Sequence, residues 1–148
     1  MTNNLIARRI IAVEEGWRGR PYYCSEGYPT VGYGFRIGDK DAPLPKFNLP
    51  VAAGDVWLDE IIGELTRNIG HLTAGLCMTR QAVVLSMAYQ MGVTGVLGFS
   101  RMLGAIDRRA YGEAAEHMLE SKWARQTPAR AKRHAEMMKM GRVLEYYE

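Results

Sequence analysis

The 148-residue chain holds two cysteines, Cys24 and Cys77, and three histidines scattered at His71, His117 and His134. Two cysteines are too few for a disulfide framework, and neither they nor the histidines have metal-ligand spacing. Reduced thiols and no zinc site are therefore expected. No apolar run reaches the roughly 18 residues that a membrane-spanning helix requires. The opening MTNNLIARRIIAVEEG places arginines inside its apolar stripe and lacks a cleavable apolar core, so it does not read as a signal peptide. Internal repeats and low-complexity stretches are absent too. What is present, 47% hydrophobic and 24% charged residues, excludes a disordered chain and is ordinary for a single soluble domain.

The formal charge is +3. A modest positive balance suits an anionic polymer, either a cell wall or a nucleic acid. The excess lies late, where Lys122, Arg125, Arg130, Lys132, Arg133, Lys139 and Arg142 face only Glu136. This basic segment has no interleaved aromatic platform and few cations for phosphate contacts, which argues against nucleic acid.

The densest chemistry lies between Val13 and Phe35, VEEGWRGRPYYCSEGYPTVGYGF. Leu5, Ile6, Ile10 and Val13 recur at helical spacing, predicting an amphipathic helix from about Asn4 to Glu15 with Gly16 as its C-terminal glycine. Glu15 then sits where the helix dipole is negative, and dipole and burial together favour a carboxyl group that keeps its proton. Next come Pro21-Tyr22-Tyr23-Cys24, a turn at Ser25-Glu26-Gly27, and Tyr28 through Phe35, which read as a β-hairpin. That hairpin presents Cys24 and Thr30 to a cleft with Glu15 across it. A free thiol is only slightly ionised at neutral pH, and Arg18 and Arg20 are the neighbours expected to ionise it further.

Farther on, Ala42-Pro43-Leu44-Pro45 breaks regular structure, and Pro50 opens a helix to about Asn68. A nearly all-apolar helix follows from Arg80 to Met91 and ends at Gly92, with Met78, Met87 and Met91 as core filler. Thr94 is expected to cap a short helix to about Ile106, and another helix is expected over Arg108–Leu119. Trp123 falls in a turn, and Thr127-Pro128 caps and opens a last helix that ends at Gly141.

Glu15-Gly16, the string SEGYPTVGYG and the Glu–8–Cys–5–Thr spacing resemble the T4-type phage lysozymes, the endolysins of glycoside hydrolase family 24. A second block, AYQMGVTGVLGF followed by EAAEHMLESKWARQTPARAKR, extends the resemblance across about Arg80–Arg133. The chain departs from the family pattern at Cys24, where Asp is usual, and at Phe35, where the strand usually ends in His. The resemblance implies an α+β, mostly α, lysozyme-like fold. Residues 13–49 would form a β-containing lobe and 50–69 a connecting helix, while 70–148 with helix 4–15 would form a helical lobe.

It implies hydrolysis of the β-1,4 bond between N-acetylmuramic acid and N-acetylglucosamine in peptidoglycan, with no cofactor. Glu15 would be the general acid. Cys24 and Thr30 would position the attacking water, or the thiolate would itself attack the sugar. Arg130 matches a family arginine that pairs with the acid, which would oppose the dipole and burial effects on Glu15. Tyr89, Met102 and His117 take the places of substrate-contacting residues. A monomer is expected, neither binding nucleic acid nor inserting into a membrane. It would wait in the host cytoplasm until a holin releases it to the periplasmic peptidoglycan of a Gram-negative-type host. Two other readings fit less well: a lytic transglycosylase, and a wall-binding or morphogenesis module whose turnover lapsed when Asp became Cys.

Overall fold

The computed structural model describes residues 4–148; the first three residues of the segment read above as no signal peptide lie outside it. The first helix, α1, spans Leu5–Glu15, with Asn4 at its N-cap accepting from the Ala7 N–H at 2.9 Å. Gly16 closes it at φ 72, its N–H bonding the Ala12 carbonyl. Glu15 is thus the last helical residue. Ala7, Ile10 and Ile11 form the buried stripe that packs on a later, central helix.

Three antiparallel strands follow in the order β1 (Arg18–Tyr23), β2 (Pro29–Gly32) and β3 (Phe35–Arg36). The expected two-stranded hairpin is therefore a three-stranded sheet. Gly32 and Gly34 both take positive φ, and that bend turns Phe35-Arg36 back along β2 as a strand of its own. Between Arg18 and Tyr22 the register shifts, in the stretch that contains Pro21. Proline has no N–H for the ladder, so an edge strand with a bulge is where it is tolerated. Cys24 falls one residue beyond β1, in the turn rather than on the strand.

Helix α2, Val51–Ile69, packs Leu58, Ile62 and Ile69 inward. At Gly54 a Cβ would lie 2.3 Å from the Trp17 ring, so the missing side chain is what lets the indole lie against the helix. The Arg8–Asp59 ion pair joins α2 to α1, and the Tyr33 phenol donates to Asp55 at 2.8 Å, joining α2 to the sheet. A short 3₁₀ turn, Gly70–Leu72, precedes α3.

Helix α3, Met78–Leu97, runs through the middle of the helical part, and every residue from Ala82 to Ala88 is buried. It starts two residues earlier than its periodicity suggested. Gly92, at φ 81 and ψ 164, breaks it where the apolar pattern ends. Met87 is buried and Met91 packs against the core, but Met78 at the helix start is 42% exposed and is not core filler. Instead Met102, Met118, Met137 and Met138 join Met87 inside.

Four more helices close the structure: α4 (Ser100–Asp107), α5 (Tyr111–Leu119), α6 (Lys122–Gln126) and α7 (Pro128–Met140). The helix expected from Arg108 begins only at Tyr111, because Arg109 takes a left-handed conformation, φ 62, that a helix cannot include. Trp123 belongs to a short helix instead of a turn. Thr127 precedes Pro128 at the start of α7, but its hydroxyl donates back to the Trp123 carbonyl at 3.0 Å and caps nothing. Gly141, left-handed at φ 70, ends α7 as expected. The 3₁₀ turn Glu145–Tyr147 folds back so that Tyr147 is buried against the core.

Candidate active site

Helix α1 delivers two consecutive acids to different partners. Glu15 Oε2 accepts from Arg130 Nη1 of α7 at 2.8 Å. The Arg130 side chain is buried, and its Nη2 reaches the Ser86 carbonyl at 3.3 Å and the Ser86 hydroxyl at 3.1 Å on α3. The arginine predicted to pair with the acid does so.

The other oxygen, Oε1, faces the turn between β2 and β3. A Cβ built on Gly34 would lie 3.1 Å from it, and Gly34 has φ 78. Both the backbone conformation and the approach to the carboxylate favour glycine there.

Glu14 plays no part in this pair. Its side chain, 5% exposed, accepts from Arg133 Nη2 at 2.7 Å, from Arg133 Nε at 3.0 Å and from the Tyr147 hydroxyl. Burial opposes its charge, but the bonds from Arg133 and Tyr147 and the charges of Arg133 and Arg130 outweigh that cost. Its carboxyl is held below the usual carboxylate range. The basic C-terminal segment is thus not one solvated face, because two of its arginines point inward to these acids.

Cys24 and Thr30 meet at the turn beyond β1. The thiol is held below its ordinary value by backbone N–H groups, Tyr28 foremost and then Glu26, with the Thr30 hydroxyl adding to them. The arginines expected to do this are not the cause. Arg18 instead lies over the Tyr22 ring, 3.9 Å from its centroid. Thr30 is buried on β2, and its hydroxyl donates to the Tyr28 carbonyl at 2.8 Å. That hydroxyl has one proton, so it serves the carbonyl or the sulfur at any moment, and its lone pairs stay open to a water.

Tyr22 is directly opposite Thr30 across β1 and β2, so the two side chains share a face of the sheet. Tyr89 on α3 stands where both ends of the site are felt. Burial foremost, then the charge of Glu15 and after it Tyr22, raise its phenol pKa, while Arg130 works against them. The Tyr89 hydroxyl donates to the Tyr33 carbonyl at 2.6 Å, tying α3 to the turn that carries Gly34. Tyr22 is thereby tied to Thr30 across the sheet, and Tyr89 to the turn that faces Glu15.

Met102 and His117 lie elsewhere, on the wall of a cavity of about 470 Å³ shared with Phe99, Ser121 and Trp123. Met102 is 1% exposed and forms its inner wall. His117 has Nε2 at 3.6 Å from Glu113 and Nδ1 at 3.9 Å from Glu120. Phe35, where the resembling family has His, stacks on Trp57 with centroids 4.3 Å apart. Among the described residues no group of three His, Cys, Asp or Glu side chains converges as a metal site, and both cysteines are free.

Sequence reasoning missed Tyr22, Gly34, Ser86 and His134. Ser86 did leave a trace, as the lone serine in the largely apolar run AVVLSMAY.

The profile of the phage lysozyme family matches residues 12–136, a span that includes Glu15, Cys24, Thr30 and Arg130. The chain belongs to the phage lysozyme family. Among its relatives is a probable T4-type lysozyme of Dictyostelium discoideum, 25% identical over 93% of this chain and 95% of that protein. Another is the pre-baseplate central spike protein Gp5 of Enterobacteria phage T4, 26% identical over 97% of the chain but 29% of that protein. A third is the peptidoglycan hydrolase gp36 of Pseudomonas phage phiKMV, 30% identical over 84% of the chain and 14% of its own length. This phage lysozyme is accordingly a glycoside hydrolase, with the helical architecture and small sheet of its family. It covers nearly all of one relative and only a small part of the other two.

Proposed function

We propose that this lysozyme hydrolyses the β-1,4 bond between N-acetylmuramic acid and N-acetylglucosamine in peptidoglycan, as an endolysin that lyses the host cell. Glycoside hydrolysis needs an acid for the leaving oxygen and a second group on the opposite face of the sugar. Glu15 supplies the proton. Arg130 holds Oε2, so Oε1, toward the Gly34 turn, is the oxygen placed to protonate the glycosidic oxygen. Cys24, as thiolate, takes a proton from water as that water attacks the anomeric carbon, and the Thr30 lone pairs orient the same water. Water attack from the face opposite the acid inverts the anomeric centre. Tyr89 lines the site, and Met102 and His117 contact a more distant part of the polymer. No cofactor enters the scheme. The enzyme acts as a monomer on the periplasmic wall after a holin opens the membrane.

The observation that carries this reading is Glu15 at the end of α1, gripped from α7 by a buried arginine, with its other oxygen close to a glycine turn. Clearing of chloroform-treated Gram-negative cells by the purified protein is the test. Glu15→Gln is expected to lose more than about 100-fold in lytic rate, within the range of a lost general acid. Its thermal midpoint should stay near wild type. Clearing that survives Glu15→Gln would sink the assignment.

A further inference from the structure

Behind Arg130 lies a buried polar chain that the proposed chemistry does not use. The Ser86 hydroxyl accepts from Arg130 Nη2 at 3.1 Å and lies 2.8 Å from His134 Nε2. Ser86 and His134 are each 0% exposed. The ring is enclosed by Ser86 of α3, Trp123 of α6, Tyr147 of the C-terminal turn and Glu14 of α1, whose Oε2 is 4.0 Å from Nδ1. A hydroxyl in the middle of an apolar helix, and an imidazole with no exposed surface, are costly unless satisfied.

We propose that Ser86 and His134 are positioning residues for Glu15: His134 Nε2 accepts the Ser86 proton, which turns the serine lone pairs to Arg130 and fixes the guanidinium that holds the acid. This rests on Glu15 being the acid proposed above.

The direction of the relay follows from the donors. Arg130 has only protons to give, so Ser86 Oγ is the acceptor in that bond. The serine proton then needs an acceptor, and the ring nitrogen 2.8 Å away provides one only if it carries no proton. His134 must therefore be neutral with its proton on Nδ1, which makes no hydrogen bond among the described residues and has Glu14 Oε2 at 4.0 Å. Burial foremost, then the charge of Arg130, pushes the imidazole down to about 3, which keeps the ring neutral. Without the Ser86 hydroxyl the guanidinium would keep its bond to Glu15 and the longer one to the Ser86 carbonyl, but lose the shorter anchor that sets where the Glu15 bond points. Displacing a reacting group by about 1 Å can cost on the order of 100-fold in rate.

Steady-state kinetics on soluble peptidoglycan fragments, with thermal melts of each variant, test this. His134→Leu and Ser86→Ala are expected to lower kcat roughly 10- to 100-fold with KM within about twofold of wild type. His134→Gln, whose amide oxygen can replace Nε2 as acceptor, is expected to recover most of the loss. In the wild-type protein, two-bond ¹H–¹⁵N correlations of labelled histidine should place the His134 proton on Nδ1 from about pH 5 to 8. That readout does not depend on whether any variant folds. A proton on Nε2, or variants that melt earlier while keeping kcat, would overturn the relay. Glu15→Gln run in the same series separates the two claims. Turnover that survives it overturns the acid, whereas turnover that needs Glu15 but ignores His134 overturns only the positioning.

Discussion

At Cys24 the resemblance expects a carboxylate, and the thiol there is held below its ordinary value by backbone N–H groups instead of a neighbouring cation. Those donors are supplied by the turn, so they remain whichever side chain is placed there. Cys24→Asp is accordingly expected to keep lytic activity, and Cys24→Ala to lose at least about 100-fold. The sign of the pH effect follows from the base. A base must be deprotonated, so activity rises with pH through its pKa. In the wild type this rise should fall below the ordinary thiol value of about 8.5, because the hydrogen bonds favour the thiolate. In Cys24→Asp it should move down toward the carboxylate range near about 3.9. A pH–rate profile of the two proteins checks this. An alanine enzyme as fast as wild type would make the thiol a bystander.

Elements of the fold differ in how plainly the sequence announces them. Helix α1 carries its whole description locally: an apolar stripe, an Asn cap, an acid and a closing glycine, all within residues 4–16. The end of α7 at Gly141 was equally plain, for the same reason. The third strand was not legible, because it depends on two glycines choosing positive φ within a run that otherwise continues as β. Arg109 hides its break still better, since nothing in an arginine announces a left-handed conformation. Within the site, Glu15, Cys24 and Thr30 were readable as a motif. Ser86 and His134 were not, because they lie 48 residues apart and gain meaning only when α3 and α7 pack together. Gly92 shows which effect matters at such breaks. A Cβ there meets nothing within 4 Å, yet φ 81 with ψ 164 is a conformation that essentially only glycine adopts. Gly92→Ala is expected to cost about 2 kcal/mol in urea unfolding through backbone strain alone. An unchanged midpoint would mean that the break tolerates a side chain.

Across the whole molecule, the first helix is held to the end of the chain by charge. Glu14, Arg133 and Tyr147 join residues separated by up to 133 positions, and Arg130 with Glu15 runs beside them. Removing Arg133 leaves a buried carboxylate without its strongest partner, so Arg133→Ala is expected to lose roughly 3 kcal/mol of stability at pH 7. Because the folded pKa of Glu14 is depressed, its contribution is complete above the unfolded carboxylate value. It fades as pH falls through the lower folded one. The gap between wild type and Arg133→Ala should therefore narrow in acid, as urea titrations at neutral and low pH would show.

On the proposed mechanism this frame holds one proton donor opposite one activated water, and the bond-breaking products report on that most directly. Peptidoglycan digested in H₂¹⁸O and analysed by mass spectrometry should give fragments with a reducing muramic acid end that carries one heavy oxygen. Anhydro-muramic ends without the label would show that no water attacks, and the account of Cys24 and Thr30 would be wrong.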